Sequence, residues 1–365
     1  MNKPLFPSDF EVAKPSASTA WITRGNNALW LVGLLWLECA ALMVMHNWDR
    51  FGTLMFADPD DAMRLVQVRD FIAGQSWFDV SQHRVNPPTG GPMHWSRLLD
   101  MPIAGVILLL RPFVGQPMAE IIACVTVPLA TLAAMCFALF QAVLRFLGVH
   151  RALLTVALLV TSFPILTQVA PLRIDHHGWQ IVMAAVMLGG VLASRARTGG
   201  IIAGLAAAMW LHISSEGLPF AVAAGGVIGL RYVWREAEWP RLISYTGALT
   251  LGTVALALGI RGWTATTEFR CDGMTIAYIP EFLLLCATMA AGRRLVGGGT
   301  VARRIAVPAI AAAATGGLYA VASGPCLAGP FYTFDPVGYN FWYLGILEGR
   351  PYWKQEPVMA AIIIL

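Results

Sequence analysis

The chain has 365 residues, of which 57% are hydrophobic and 13% charged, and its mean hydropathy is +0.63. Because a soluble domain carries about 25% charged residues, this composition argues against a soluble enzyme and against a disordered chain. The net charge of +4 offers no basic patch for a nucleic acid. Six cysteines without a Cys-x-x-Cys pair are neither a disulfide scaffold nor a zinc or redox motif. Composition therefore predicts an all-α polytopic membrane protein.

Nine apolar segments are predicted as membrane spans, since a span needs roughly 17–25 mostly apolar residues. They are residues 28–46, 118–145, 152–171, 179–194, 199–212, 218–231, 242–260, 276–292 and 305–323. Residues 1–27 are expected to form a cytoplasmic tail, and residues 28–365 a transmembrane domain. A tenth apolar run begins near residue 358 and stops at residue 365. We therefore expect the chain to be the N-terminal portion of a longer protein.

The distribution of arginine predicts the orientation, because short cytoplasmic loops are enriched in Lys and Arg. With the N-terminus in the cytoplasm, the inner loops hold Arg151, Arg195, Arg197, Arg231, Arg235, Arg241, Arg293, Arg294, Arg303 and Arg304. The short outer loops hold only Arg173, Arg261 and Arg270. This bias requires that the apolar stretch at 101–113 not cross the membrane, so we expect a membrane-embedded or surface-lying helix there. The predicted outer segments are then 47–117, 172–178 and 324–357, facing the periplasm.

The first outer loop carries several acids at the start of a predicted amphipathic helix. Apolar residues recur at helical spacing after Asp60, at Met63, Val66 and Phe71. Asp58 is the expected N-cap, with Pro59 in the first turn. The sequence leaves open whether these acids do more than cap the helix. The loop continues into a Pro- and Gly-rich turn followed by His94, Trp95 and Arg97, side chains suited to a sugar or a phosphate.

The other two outer segments contain a second group of candidate residues. Asp175 and His177 are two apart, with His176 between them, and a carboxylate beside an imidazole is a plausible pair of divalent-metal ligands. Carboxylates alone suit Mg²⁺ or Mn²⁺, whereas an added histidine favours Mn²⁺ or Zn²⁺. The segment 324–357 is rich in interfacial aromatic residues, which leave its acid Glu348 unexplained.

Taken together, these motifs resemble the catalytic subunit of oligosaccharyltransferase, a glycosyltransferase of the GT-C fold. That family has an acid nine residues before an Arg-Asp-x-x-x-Gly helix, as Asp60 precedes Arg69–Gly74 here, and a Pro-Pro turn follows at 86–90. It also has an Asp-x-Asp, Asp-x-Glu or Asp-x-His motif in its second outer loop, matched by Asp175 and His177. Its Thr-Ile-x-Glu motif is matched at Ile346 and Glu348, but the Thr is missing.

The resemblance implies a GT-C-like helical bundle with a metal-assisted, inverting active site on the non-cytoplasmic face of the inner membrane. The implied metal ligands are Asp60, Asp175, His177 and Glu348, holding Mn²⁺ or Mg²⁺, with Zn²⁺ as another option. The implied catalytic residues are Asp60, Asp61 and Glu348, and the implied substrate contacts are Arg64, Arg69, His94 and Trp95. The donor would be a sugar on a polyprenyl phosphate or pyrophosphate, whose developing phosphate charge the cation neutralises.

Several alternatives stay open at this stage. The family's Trp-Trp-Asp-Tyr-Gly acceptor motif is absent from the chain, so the acceptor is a glycan, a lipid or a protein. Asp58 and Asp61 compete with Asp60 as the metal ligand. A GT-C enzyme with a monosaccharide-phosphate lipid donor, like the aminoarabinose and mannosyl transferases, is an alternative function. A transporter or flippase for lipid-linked sugars is another, although its charged groups would be expected at mid-bilayer.

Four of the six cysteines, Cys39, Cys124, Cys136 and Cys286, fall inside predicted spans and are interpreted as small core residues. Cys271 and Cys326 are the two predicted outside the membrane. In an oxidising compartment these two would pair. We therefore hypothesise a disulfide that links the loop after the seventh span to the loop after the ninth.

Overall fold

A computed structural model describes residues 27–328 of the chain, except residues 86, 89 and 94. The described part is mostly helical. Its helices are α1 (Asn27–Phe51), α2 (Pro59–Ile72), α3 (Arg97–Val114), α4 (Gln116–Leu147), α5 (Val149–Leu159), α6 (Phe163–Leu166), α7 (His177–Leu192), α8 (Ala196–Ile213), α9 (Leu218–Trp234), α10 (Trp239–Leu256), α11 (Gly262–Thr267), α12 (Ile279–Val296) and α13 (Val301–Ala322). A two-residue antiparallel ribbon, β1 (Ser81–Gln82) with β2 (Gly91–Pro92), lies between α2 and α3.

Five helical stretches are long and apolar enough to cross a membrane, so the protein is a helical membrane protein. They are Asn27–Phe51, Gln116–Leu147, Ser215–Trp234, Glu236–Thr267 and Val301–Ala322. Five of the nine predicted spans lie on these stretches. The other four lie on α5 and α7, which are shorter apolar helices, and on α8 and α12, which are not among the five.

The expected continuous span over 152–171 is wrong. Helix α5 ends at Leu159, and only the four-residue helix α6 follows before α7. At about 1.5 Å per residue, the 11 residues of α5 reach about 16 Å, half the hydrocarbon thickness. Pro164 lies in the first turn of α6, where a proline is tolerated, but it has no backbone N–H with which to continue the hydrogen bonds of α5.

Helix α3 contains the stretch 101–113 and is not among the helices that could span a membrane. Ser96 caps it by accepting the backbone N–H of Leu98. One face, which includes Ile103 and Ile107, is buried against its neighbours, and the opposite face exposes Leu109 and Phe113. This two-sided helix agrees with a segment that lies on the membrane surface.

Helix α2 begins as predicted but turns a different face inward. Asp58 is its N-cap, accepting the backbone N–H of Asp60, and Pro59 is its first residue. The predicted apolar face at Met63, Val66 and Phe71 is only half-buried. The buried residues are instead Asp61, Arg64, Leu65, Gln67 and Val68. The reason is electrostatic, since the inward polar groups meet opposite charges on α3 and on the segment before α7.

Small residues allow the helices of the second half to pack backbone to backbone. A methyl group at Gly204 of α8 would lie 2.5 Å from the backbone oxygen of Tyr245 on α10. A methyl at Gly190 of α7 would lie 2.7 Å from the backbone oxygen of Gly199 on α8. Such close approach through glycine is a common way for membrane helices to gain packing energy where the hydrophobic effect is absent.

The two cysteines hypothesised as a pair, Cys271 and Cys326, form a disulfide with a Cα–Cα distance of 5.2 Å. Both are buried, and the bond joins the segment after α11 to the segment after α13. Cys39, Cys124, Cys136 and Cys286 are free thiols.

Candidate functional site

A strained turn delivers the second predicted motif to the start of α7. Leu172 has a φ of +73°, a left-handed conformation that is unusual for a branched apolar residue. The turn is held because the backbone N–H of Leu172 donates to the carbonyl of Cys124 on α4, at 2.9 Å. Arg173 and Asp175 leave this turn just before His177 opens α7. Strain of this kind is often found at functional sites.

Asp175, His176 and His177 form a cluster whose nitrogen and oxygen ligand atoms all lie within 4.8 Å of one another. Asp175 Oδ1 is 2.5 Å from His176 Nδ1, and Asp175 Oδ2 is 3.4 Å from His177 Nε2. Asp175 is buried, and its Oδ2 makes no hydrogen bond within the described residues. A buried carboxylate oxygen that faces an imidazole and lacks a donor fits a metal ligand. We call this group the Asp–His cluster.

Asp61 of α2 ties the Asp–His cluster to the first loop. Its Oδ1 accepts the backbone N–H of Asp175 at 2.9 Å, and its Oδ2 accepts Arg173 Nη1 at 2.9 Å. Asp58 also pairs with Arg173, at 2.8 Å. The buried carboxylate of Asp61 therefore connects two segments that lie more than 100 residues apart in the sequence.

Burial and charge act differently on the two buried acids. Burial raises the pKa of Asp61 to about 6, although Arg173 acts in the opposite direction. Burial also disfavours the charged form of Asp175, but the hydrogen bond and charge of His176, with Arg64, hold its pKa well below the usual range. Asp175 is therefore a carboxylate across the physiological range, as a metal ligand has to be.

A second buried network lies directly behind the Asp–His cluster. Asp100 of α3 accepts from Arg64 Nη1 at 3.2 Å, from Arg97 Nη1 at 3.1 Å and from Gln67 Nε2 at 2.8 Å. None of these four side chains is exposed to solvent. We call them the α2–α3 ion network. It positions Arg64, whose Nη2 lies 3.8 Å from Asp175 Oδ1 and whose guanidinium lies 4.5 Å from the ring centre of Trp95.

The structure brings together some of the predicted ligands and not others. Asp175 and His177 meet in the Asp–His cluster, and His176 joins them. Asp60 is half-buried beside the N-cap and is not part of that cluster; its neighbour Asp61 makes the bridging contact. Glu348 and His94 lie outside the described residues.

The predicted substrate contacts are similarly divided. Arg64 lies against the cluster and Trp95 is buried beside it. Arg69 points elsewhere, because both its Nε and its Nη2 bind the carboxylate of Glu120 on α4, at 2.9 and 2.5 Å. This pairing raises the pKa of Arg69 and leaves the arginine to fasten α2 to α4.

Sequence reasoning missed Arg173 and Asp100 as parts of the site. Arg173 served only as a loop cation in the orientation argument, yet it contacts two of the acids of the first loop. Its position two residues before Asp175 was a usable signal. Asp100 follows Arg97 by three residues, a spacing that favours a pair on one helix.

No model of a known protein family matches this chain, and no characterised protein matches it by sequence.

Proposed function

We propose that the protein is a membrane glycosyltransferase of GT-C architecture that takes its sugar from a polyprenyl phosphate or pyrophosphate donor. The observation that carries the proposal is the convergence of Asp61 and Asp175, two buried carboxylates from distant loops, with two histidines and Arg64 beside them. Burying such a group is costly, and Asp175 Oδ2 has no hydrogen-bond partner within the described residues, which favours a ligand site over a structural ion pair.

Asp175 and His177 are the residues proposed to hold a divalent cation, with His176 orienting the carboxylate of Asp175. Mn²⁺ suits a mixed carboxylate and imidazole set best, and Mg²⁺ and Zn²⁺ are alternatives. When bound, the cation supplies Lewis-acid neutralisation of the charge that develops on the leaving phosphate. Arg64 adds a fixed positive charge on the far side of Asp175, anchored by the α2–α3 ion network.

Asp61 is proposed as the group that accepts the acceptor's proton. A base is most useful when its pKa lies near the working pH, and burial brings the pKa of Asp61 to about 6. Arg173, bound to its Oδ2, keeps the carboxylate in place and stabilises its charged form. Attack on the sugar from the side opposite the phosphate inverts the anomeric carbon. The acceptor is a glycan, a lipid or a protein.

We further propose that the protein lies in the inner membrane with its N-terminus in the cytoplasm and its site on the periplasmic face. The alternation of arginine-rich and arginine-poor loops supports this orientation. The disulfide between Cys271 and Cys326 supports an oxidising compartment for their segments. This orientation needs nine crossings, so the α5–α6 segment, α7, α8 and α12 would cross together with the five long stretches.

Release of sugar from a lipid-linked donor tests the proposal. Protein in lipid nanodiscs is incubated with Mn²⁺, radiolabelled polyprenyl-linked sugars and an extract of host membranes that supplies the acceptor. Label leaving the donor, separated from the products by thin-layer chromatography, is measured. The wild type and an Asp49→Asn control, which changes an exposed acid, are expected to release label. Asp175→Asn is expected to lose at least 100-fold. Equal release by Asp175→Asn would contradict the proposed site. Movement of intact donor across a vesicle membrane without release would favour a transporter.

A further inference from the structure

A groove of about 670 Å³ runs between α1 and the α5–α6 segment. Its wall on α1 includes Leu35, Leu42 and Met43, and its opposite wall includes Val160 and Leu166. Helix α1 is one of the stretches that can span a membrane. The groove is therefore open along a membrane helix and mostly apolar.

The chemistry of the groove changes along its length. Glu38, Leu42, His46 and Arg50 line it and follow one another at four-residue steps, which places them on one face of α1. Within the described part of the chain, His46 and Arg50 make no ion pair. One end of the groove is thus apolar apart from Glu38, and the other end presents two basic side chains.

The basic end of the groove leads to the candidate active site. Ala57 lines the groove and immediately precedes Asp58, whose carboxylate binds Arg173 at 2.8 Å. Ala170 lines the opposite wall, two residues before the strained turn at Leu172. The groove therefore ends beside the ion pairs that fix Asp61.

The length of the groove suits a lipid tail. From Leu35 to Arg50 the helix rises about 22 Å, which is most of the hydrocarbon thickness of about 30 Å. A lipid tail can therefore lie extended along the groove, with its headgroup at the basic end.

We propose that this groove binds a polyprenyl phosphate, with the single isoprenoid tail along Leu35 and Leu42 and the phosphate against His46 and Arg50. The inference rests on the proposed function, which it deepens by assigning the lipid's binding site. The guanidinium of Arg50 complements the phosphate charge, and an imidazole N–H of His46 can donate to a phosphate oxygen. Glu38 lies about 18 Å from Arg50 along the helix axis, so the acid and the phosphate stay apart.

Binding of undecaprenyl phosphate to the protein in phosphatidylcholine nanodiscs, measured by native mass spectrometry, tests the groove. Leu42→Trp fills the groove, whereas Leu37→Trp places the same ring on α1 outside it, at a leucine of similar exposure (55% against 57%). We expect Leu42→Trp to weaken binding at least tenfold and Leu37→Trp to stay within twofold of the wild type. Arg50→Gln, which leaves the apolar walls intact, is expected to weaken binding at least fivefold.

Two outcomes would overturn the groove assignment. The first is equal binding by Leu42→Trp and Leu37→Trp when both melt at the same temperature. The second is phosphatidylglycerol binding with the same affinity and the same response to the three variants, which would make the groove a general lipid site. If Leu42→Trp binds undecaprenyl phosphate and releases sugar normally while Asp175→Asn releases none, the groove assignment is wrong and the proposed function stands. If the wild type releases no sugar but Leu42→Trp still abolishes binding of undecaprenyl phosphate, the proposed function is wrong and the groove assignment stands.

Discussion

Asp100→Asn removes one charge from the α2–α3 ion network without changing its volume. In the native protein the carboxylate of Asp100 accepts from both Arg64 and Arg97 and has no solvent exposure. The amide of asparagine keeps one acceptor oxygen and brings two N–H donors toward the guanidinium groups. Two buried cations then face a neutral group, and the remaining carboxylate nearby, on Asp175, is 3.8 Å from Arg64.

The expected loss of stability follows from burial. An exposed ion pair is worth about 0–1 kcal/mol, whereas removing one partner from a buried pair costs about 3–5 kcal/mol because the other charge stays desolvated. Asp100 belongs to the second case, and its retained hydrogen bond from Gln67 places the expected loss near the lower limit, about 3 kcal/mol. Arg64 also loses its anchor, so the Asp–His cluster is expected to lose order with it.

Unfolding in mixed micelles, followed by circular dichroism across a denaturing-detergent titration, measures the change in the free energy of unfolding. Asp49→Asn makes the same chemical change at an exposed position and is expected to stay within about 0.5 kcal/mol of the wild type. A loss below about 1 kcal/mol for Asp100→Asn, the range of an exposed ion pair, would refute the reasoning. It would mean that water reaches the network and that Arg64 is held by something other than Asp100.

Other predictions test the packing, the disulfide and the metal ligands. Gly204→Ala is expected to cost about 1–3 kcal/mol in the same unfolding assay, because its methyl meets the α10 backbone. Gly247→Ala, where no atom lies within 4 Å, is expected to be neutral or stabilising, and equal effects would refute the close contact. Cys271→Ser opens a link across 55 residues and is expected to cost about 4 kcal/mol. The free-thiol control Cys286→Ser is expected to cost much less. Equal losses for the two variants would show that the disulfide does not stabilise the protein. His177→Ala is expected to weaken Mn²⁺ binding, measured by electron paramagnetic resonance of free Mn²⁺, at least tenfold; unchanged binding would exclude His177 as a ligand.

Local sequence signals predicted the parts of the site that depend on neighbouring residues. Asp58 and Pro59 mark the start of α2 because capping involves only the first turn of a helix. Asp175 and His177 could be named together because two residues of chain keep their side chains within reach. The composition of the long helices similarly predicted a membrane protein, since the bilayer itself sets the length and polarity of its spans.

The rest depends on how helices are rotated, which short-range patterns do not determine. Each step along a helix turns a side chain by about 100°, so the sequence did not decide which of the neighbours Asp60 and Asp61 faces the second outer segment; in the structure Asp61 accepts the backbone N–H of Asp175. Apolar spacing indicated an apolar face at Met63 and Val66. In the structure α2 instead turns Arg64 inward, because Arg64 binds Asp100 on α3, 36 residues further along the chain. An ion pair between residues that far apart depends on the tertiary structure. Here it determines the rotation of α2 more strongly than the weak apolar pattern does.

The two carboxylates of the site, Asp61 and Asp175, have different roles. Mutations at the two positions therefore have to be interpreted differently. Asp175 presents an oxygen that no hydrogen bond within the described residues occupies, whereas both oxygens of Asp61 are engaged, one by the backbone of Asp175 itself. Removing Asp61 consequently releases the segment that carries Asp175, as well as Arg173. A loss of metal binding in Asp61→Ala would follow even though Asp61 contacts no metal. Asp61→Asn retains an acceptor for the backbone N–H of Asp175 and leaves Arg173 paired with Asp58. It therefore separates the two roles: it should preserve Mn²⁺ binding while abolishing transfer if Asp61 acts as the base.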